Sequence, residues 1–198
     1  MEPKPHLLTF PLIITLLSSI SAGTSTAAGN NYKKYLKTAC NSTLYPKLCY
    51  NSLSSYTSII KTNDLTLCST ALNVSLQAAI NTSNSLTYVV SRLGKTEAQV
   101  IGDCVDEIGD SVDELKQSLD VLCNLNLNYS SDLRFQVSNV QTWVSAAITD
   151  EDTCLDGFDD EIRVRVRASV KKMIKKVVLN LAMMTSNALA LINKLHSS

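Results

Sequence analysis

Residues 98–122, with the sequence AQVIGDCVDEIGDSVDELKQSLDVL, decide the fold class of this chain. Apolar side chains recur there at steps of three and four residues, at Ala98, Ile101, Val105, Ile108, Val112, Leu115, Leu119 and Leu122. Because an α-helix has about 3.6 residues per turn, these steps place all of them on one side of a helix. No proline interrupts the stretch. The pattern therefore predicts a long amphipathic helix that packs one side against other helices.

The same period recurs in three further stretches. A first helix runs through Leu72, Ser75, Ala79, Leu86, Val89 and Leu93, a third through Leu133, Val137, Val140, Val144 and Ala147, and a fourth through Val170, Met173, Val177, Leu181, Met184, Ala188 and Leu191. Pro46 is the only proline beyond residue 11, so no helix breaker lies in this part of the chain. Short links at Gly94 and at residues 124–132 make successive helices antiparallel. The sequence predicts an all-α fold, an up-and-down four-helix bundle over residues 61–198.

The N-terminus has the features of a secretory signal peptide over residues 1–28. Lys4 and His6 precede an apolar run at residues 7–20, and small residues follow it. That run is shorter than the roughly 20 residues needed to span a bilayer, and no later segment is long and uncharged enough to be a membrane anchor. We therefore expect a secreted protein whose remaining chain forms one domain.

All six cysteines follow the signal, which argues for disulfides in a secreted chain. In an antiparallel bundle, Cys104 near the start of helix two lies level with Cys154, which we expect just beyond the end of helix three. Cys68 in helix one similarly lies level with Cys123 at the end of helix two. The predicted pairs are Cys104–Cys154, Cys68–Cys123 and Cys40–Cys49, the last closing a short loop. Four N-glycosylation sequons are also present, at Asn41, Asn73, Asn81 and Asn128.

Charge is balanced over the whole chain but segregated along it. Lys and Arg number 18, as do Asp and Glu, which argues against nucleic acid or an anionic membrane as a partner. Helix two carries eight acids against Lys95 and Lys116, whereas the chain from residue 162 onward carries Arg and Lys with no acid. Two interpretations stay open: attraction between oppositely charged helices, or an acidic face that steers toward a basic partner.

Catalytic groups are scarce. His6 belongs to the predicted signal and His196 lies at the end of the chain, which excludes a histidine triad and a multi-histidine metal site. No Glu-x-x-His pair is present for a di-iron centre, and the acids of residues 150–161 lack the ligand spacing of a calcium loop. We expect those acids to form a solvated linker or a polar contact surface. The sequence predicts a protein that is not an enzyme and that uses no cofactor or metal.

Three motifs together resemble the signature of the plant pectin methylesterase and invertase inhibitor family. They are CNSTLYPKLC at residues 40–49, DCVDEIGDSVDELKQSL at 103–119 and TWVSAAITDEDTCLDGF at 142–158. The resemblance implies the Cys40–Cys49 and Cys104–Cys154 bonds and a short N-terminal helical hairpin at residues 32–60. Cys68–Cys123 rests on bundle geometry alone. The resemblance also implies that the faces of helices two and three cover the esterase cleft.

Six residues are the contact candidates on those faces: Asp106, Glu107, Asp110, Asp152, Thr153 and Asp156. The expected partner is a pectin methylesterase of the apoplast or cell wall, bound stoichiometrically and without covalent chemistry. The alternative partner is an invertase. Invertase inhibitors of the family are associated with a Pro-Lys-Phe motif, whereas Pro46 here is followed by Lys47 and Leu48. We expect a monomer or a weak dimer that associates through the hairpin.

Two further expectations concern regulation and chain organisation. If carboxylates of the contact surface are buried against carboxylates of the enzyme, binding takes up protons, and inhibition tightens as pH falls. The chain ends at Ser198 with neither a basic processing tetrad nor a catalytic domain, so we expect a free-standing inhibitor and not the pro-region of an esterase. A lipid carrier, from a different class, would require a large apolar cavity.

Overall fold

The computed structural model describes residues 21–125, 130–158 and 166–196, most of which are helical. The α-helices are α1 Ser21–Cys40, α2 Pro46–Leu53, α3 Thr57–Ile60, α4 Asp64–Val90, α5 Lys95–Cys123, α6 Ser130–Asp156 and α7 Ala168–Ile192. Short 3₁₀ turns follow α2 and α7, at Ser54–Tyr56 and Asn193–His196. The described residues contain no strand, and the predicted all-α class is confirmed.

The four long helices α4 to α7 form the predicted bundle. Both α4 and α6 pack against α5 and α7, so the four helices occupy the corners of a square in chain order. Their apolar sides meet along the axis, where the buried residues include Leu72, Leu86, Ile101, Ile108, Leu115, Val140, Val144, Ile174, Val178 and Leu181. None of the described helices holds an apolar stretch long enough to cross a membrane.

Local signals explain where the helices begin. The side chain of Asn63 accepts a hydrogen bond of 2.7 Å from the backbone N–H of Thr66 and thereby caps the first turn of α4. Pro46 lies in the first turn of α2, where a missing N–H costs no hydrogen bond. Each of these helices therefore starts at a residue that the sequence marks as a helix start.

The N-terminal helices α1 to α3 pack over one end of the bundle and correspond to the predicted hairpin. Asn187 of α7 holds the turn after α1, because its side chain accepts a hydrogen bond from Tyr45 N (3.0 Å) and donates one to Tyr45 O (3.1 Å). The Tyr35 hydroxyl donates to the Asp64 carboxylate at the start of α4. Helix α1 begins at Ser21, while residues 1–20 lie outside the described residues, so the signal peptide stays a prediction.

Two of the three predicted disulfides are present. Cys40 bonds to Cys49 across the turn between α1 and α2, and their Cα atoms are 5.5 Å apart. Cys104 bonds to Cys154 with a Cα separation of 4.5 Å, which joins the first half of α5 to the end of α6. The second bond fixes the lateral and axial position of α5 relative to α6.

The predicted Cys68–Cys123 disulfide is wrong. Cys68 is a buried thiol of α4 and Cys123 is an exposed thiol at the last residue of α5. The buried apolar position at this end of α5 belongs to Leu122, and one further residue turns the side chain by about 100°. Two cysteines at the same height along the bundle axis therefore do not form a disulfide unless each side chain also points toward the other helix.

Helix three also extends further than expected. Cys154 was expected just beyond its end, but α6 continues to Asp156. The acids from Asp150 to Asp156 therefore stand on a helix and not on a solvated linker. Asp159, Asp160 and Glu161 lie outside the described residues.

Candidate partner-binding site

One edge of the α5–α6 pair carries a concentration of carboxylates, which we call the acidic edge. It consists of Asp103, Glu107, Asp110 and Glu114 of α5 with Asp150 of α6. The apolar stripe of α5 faces the core, so its acids are turned toward the outside of the bundle. Asp110 is exposed, and Glu107 and Asp150 are half-buried between the two helices.

The disulfide explains why the acids of the two helices meet. Cys104 and Cys154 face each other, Glu107 lies one turn after Cys104, and Asp150 lies one turn before Cys154. Because the helices are antiparallel, these one-turn steps lead in the same direction along the bundle. Burial, followed by the charges of Asp150 and Asp110, raises the pKa of Glu107 above its usual value.

Glu114 and Asp150 form a coupled pair of acids across the two helices. Burial is the first cause that raises the pKa of Glu114 to about 7, and the nearby Asp150 is the second. The pKa of Asp150 is also raised, chiefly by burial. Glu114 Oε2 and Asp150 Oδ2 are buried and receive no hydrogen bond from another side chain or the backbone. Because two ionised carboxylates can only accept, a hydrogen bond between Glu114 and Asp150 requires a proton on one of them, and the raised pKa of Glu114 favours that state.

Glu151, the next residue along α6, lies inside the bundle and is 0% exposed. Its Oε1 atom accepts hydrogen bonds from Ser111 Oγ at 2.8 Å and from Thr185 Oγ1 at 2.9 Å. Burial raises the pKa of Glu151 to about 8, although the two hydroxyl hydrogen bonds oppose that shift. At neutral pH the side chain is therefore mainly a neutral acid that connects α5, α6 and α7.

The six predicted contact residues are all on α5 and α6, but they do not form one patch. Glu107 and Asp110 belong to the acidic edge. Asp152 and Asp156 are exposed, yet each is two residues from Cys154, which places it on the outer side of α6 because two residues subtend about 200°.

Thr153 and Asp106 complete the set of predicted contact residues. Thr153 is exposed one residue from Cys154, and its hydroxyl donates to Thr149 O at 2.7 Å. Asp106 is exposed on α5 and adds to the charges that raise the pKa of Glu107. These two residues border the acidic edge without lining the groove between the helices.

Sequence reasoning did not single out Glu114, Asp150 or Glu151 as site residues. The signal for Glu151 was present, because the apolar stripe of α6 steps from Val144 and Ala147 to residue 151 and then to Cys154. The acid-rich composition of that stretch favours a solvated segment, whereas its helical phase indicates that residue 151 faces the core.

Three of the four predicted sequons lie within the residues that the structure describes. Asn41, Asn73 and Asn81 are exposed, the first in the turn after α1 and the others on α4. Asn128 lies outside the described residues. Within the described ranges, no group of three or more His, Cys, Asp or Glu side chains is arranged to hold a metal ion.

Comparisons with known proteins agree with the resemblance of the three motifs. Residues 34–191 match the profile of the family described as plant invertase/pectin methylesterase inhibitor. The chain is 45% identical over 179 residues to pectinesterase inhibitor 4 of Arabidopsis thaliana, covering 87% of this chain and 86% of that protein. It is 39% identical over 188 residues to the 21 kDa protein of Daucus carota, covering 92% of each.

A further relative is longer than this chain. Pectinesterase inhibitor 10 of Arabidopsis thaliana is 42% identical over 171 residues, which are 85% of this chain but 53% of that protein. Among solved structures, a mutant form of a pectin methylesterase inhibitor from Arabidopsis superposes with a TM-score of 0.62 at 22% identity, covering 80% of this chain and 95% of that one. The chain therefore belongs to the plant invertase/pectin methylesterase inhibitor family.

Proposed function

We propose that this protein is a secreted inhibitor of plant pectin methylesterase. It binds the enzyme stoichiometrically and without covalent chemistry, covers the active-site cleft and so preserves the methyl esters of pectin in the cell wall. The observation that carries the proposal is the 45% identity to pectinesterase inhibitor 4 over 87% of the chain. Several other relatives are also named as pectinesterase inhibitors of Arabidopsis thaliana.

The acidic edge and its neighbours Asp106, Asp152, Thr153 and Asp156 are the proposed contact surface. The Cys104–Cys154 bond holds α5 and α6 together there, so the surface loses little conformational entropy when a partner binds. Its concentrated negative charge suits a basic partner surface and would set the rate of association and the orientation of the complex.

The same edge supports a pH response. Burial between the helices, followed by the charges of neighbouring acids, raises the pKa values of Glu107 and Glu114 in the free protein, and burial chiefly raises that of Asp150. If the partner, although basic over its wider surface, places a carboxylate against Glu114 and Asp150, the pKa values of these two acids rise again and the complex takes up protons as it forms. Inhibition is then tighter in the mildly acidic range of a cell wall than at neutral pH.

Titration of two enzymes tests the choice of partner. The purified, oxidised protein is added to a plant pectin methylesterase and to an acid invertase in parallel at pH 5.5, and residual activity is followed against molar ratio. We expect loss of esterase activity near a one-to-one ratio and unchanged invertase activity. The reverse result would assign the chain to invertase, and no effect on either enzyme would reject inhibition of both.

A matched pair of charge reversals tests the surface. Asp110→Lys lies on the acidic edge, whereas Asp120→Lys makes the same charge change near the far end of α5. We expect Asp110→Lys to weaken esterase inhibition by about tenfold or more, since close charge pairs at an interface are worth over 1 kcal/mol. Asp120→Lys should change it by less than about threefold. Equal losses for the two variants would show that net charge matters and that the acidic edge is not the contact.

A further inference from the structure

A groove with a volume of about 580 Å³ runs between α4 and α7. Since α5 and α6 occupy the other two corners of the bundle, this groove lies on the side opposite the acidic edge. Ala78 and Val177 contribute to its apolar lining, and Leu179 at its wall is 49% exposed. Ser85, Lys176 and Asn180 add polar groups. The proposed esterase contact leaves this groove unused.

Asn81 lies in the lining of this groove and is also the first residue of the sequon Asn81-Thr82-Ser83. Its exposed side chain carries the amide nitrogen to which an N-linked glycan attaches. Asn73 begins a second sequon on the same helix and is exposed as well, but it does not line the groove. The sequence thus places a glycan attachment point inside the groove and another one outside it.

The groove suits the first sugars of a glycan better than it suits a free ligand. A sugar presents C–H faces to apolar side chains and hydroxyls to amides, hydroxyls and ammonium groups, and both kinds of group are present here. The lining contains no aromatic side chain, so a free sugar would bind weakly. A tethered sugar needs little affinity, because a short linkage gives an effective concentration in the millimolar range.

We propose that the groove between α4 and α7 is the seat of an N-linked glycan carried by Asn81, with its core N-acetylglucosamine residues packed between the two helices. Attachment occurs during secretion, before the chain folds. The Asn81 amide nitrogen attacks the anomeric carbon of a lipid-pyrophosphate-linked oligosaccharide. A C–N bond forms as the C–O bond to pyrophosphate breaks, the amide loses one proton, and the lipid pyrophosphate leaves with the electron pair.

Such a glycan would act on the fold without obstructing the partner. It would cover the exposed apolar wall at Leu179 and link α4 to α7, two helices that no described disulfide joins. The described sequons lie on α4 and in the turn after α1, and none lies on α5 or α6 within the described residues. The inference depends on the proposed secretion but not on the identity of the enzyme inhibited.

The test uses the full chain secreted from eukaryotic cells that add high-mannose glycans. Glycopeptide mass spectrometry measures occupancy at Asn81 and Asn73, and amide hydrogen exchange is measured over residues 176–183 of α7. Ser83→Ala removes the sequon without altering a residue that lines the groove, and Asn73→Gln removes the neighbouring glycan as the matched control. Esterase inhibition is measured separately on the same samples.

We expect Asn81 to be occupied and α7 exchange to be about threefold faster in Ser83→Ala, since a weakly bound tethered ligand shifts a local opening equilibrium by that factor. Asn73→Gln should leave α7 exchange unchanged, and enzymatic trimming to the first N-acetylglucosamine should keep most of the protection. The proposal fails if Asn81 is unoccupied, if Ser83→Ala exchanges like the wild type, or if trimming to the first sugar removes the protection. Loss of esterase inhibition in any sample would bear on the proposed function alone.

Discussion

The two opposite edges of the bundle, α5–α6 and α4–α7, are packed alike but differ in cross-linking and in charge. Both are pairs of antiparallel helices that bury apolar stripes against one core. The α5–α6 edge is cross-linked by Cys104–Cys154 and bordered by carboxylates that repel one another. The α4–α7 edge has no described cross-link, and no carboxylate lines its groove.

This difference shows where the molecule accepts an energetic cost. Crowded acids such as Glu114 and Asp150 would be more stable in water, apart from each other, than on neighbouring helices. Departures of this kind from local stability rules are expected at functional sites. A covalent bond beside the acids offsets their repulsion, whereas the α4–α7 edge, whose groove no carboxylate lines, requires none. The contrast supports α5–α6 as the binding edge and α4–α7 as scaffold.

Removing the bond at the acidic edge should have the largest effect. Cys104→Ser with Cys154→Ser opens a loop of 50 residues, for which the chain-entropy estimate of the lost stability is about 4 kcal/mol. Chemical unfolding of the oxidised protein measures this loss, and esterase inhibition should fall with it. The matched variant without Cys40 and Cys49 opens a separation of only 9 residues, for which the same estimate is about 2.5 kcal/mol. A larger loss of stability in the variant without Cys40 and Cys49 would contradict the expectation that the Cys104–Cys154 bond contributes more.

The buried acid behind the same edge should make stability depend on pH. The pKa of Glu151 is raised to about 8 in the folded protein from an ordinary value of 4.5. The folded state therefore holds a proton that the unfolded state releases, so this contribution is fully present below about pH 4.5 and is lost as pH rises through about pH 8.

Glu151→Gln should remove that dependence, because the amide keeps the shape of the neutral acid and carries no charge at any of these pH values. We expect the wild type to lose about 3 kcal/mol more than the variant between pH 5 and pH 7.5, measured by urea unfolding. Asp156→Asn, which changes an exposed acid at the last residue of α6, is the control and should follow the wild type. If the free energies of unfolding of the wild type and Glu151→Gln changed equally with pH, Glu151 would be ionised in the folded protein.

The coupled pair at the acidic edge should set the pH response of inhibition. Lower pH protonates Glu114, whose pKa is about 7, and removes repulsion within the contact surface. We expect wild-type esterase inhibition to be about threefold to fivefold tighter at pH 5.5 than at pH 7.5. Glu114→Gln imitates the protonated acid, so it should inhibit nearly equally at both pH values. An equal inhibition constant for the wild type at both pH values would reject the pH response.

Helical period was enough to predict the bundle, because a stripe of apolar residues has few ways to be buried. Of the predicted stripe of α5, Ile101, Ile108, Leu115 and Leu122 are buried, and the stripe residues between them are half-buried. Bundle geometry predicts the Cys104–Cys154 bond, and the resemblance to the family implies both this bond and Cys40–Cys49; the two bonds are present. Bundle geometry alone supplied the wrong Cys68–Cys123 pair, since it considered axial level and not rotation about the helix axis.

The chemistry of the acids could not be predicted with the same method. Whether Glu114 meets Asp150 depends on the relative axial shift of α5 and α6, which packing in three dimensions decides. The acids of residues 150–161 are predicted to form a solvated linker or a polar contact surface, whereas Glu151 is buried, which two hydroxyl donors and a raised pKa make possible. The groove at Asn81 likewise depends on the separation of two helices that are distant in sequence.

The smallest expected effect concerns a contact that links the two edges. Glu97 of α5 accepts hydrogen bonds through Oε1 from the backbone N–H of Arg167, at 2.9 Å, and from Arg167 Nε, at 3.3 Å. It thereby places a negative charge at the start of α7, whose own first turn contains no acid. The Arg167 side chain is 62% exposed, so solvent screens the ion pair.

Glu97→Gln keeps an acceptor but removes the charge, and we expect it to cost about 0.5 kcal/mol in low salt and almost nothing in 1 M salt. Glu97→Ala, which also removes the acceptor, should keep a loss of about 1 kcal/mol at both salt concentrations. Urea unfolding of the two variants separates charge from hydrogen bonding. If Glu97→Gln lost as much stability in high salt as in low salt, the contact would act through shape and hydrogen bonding, and the acidic charge of α5 would contribute nothing to holding α7.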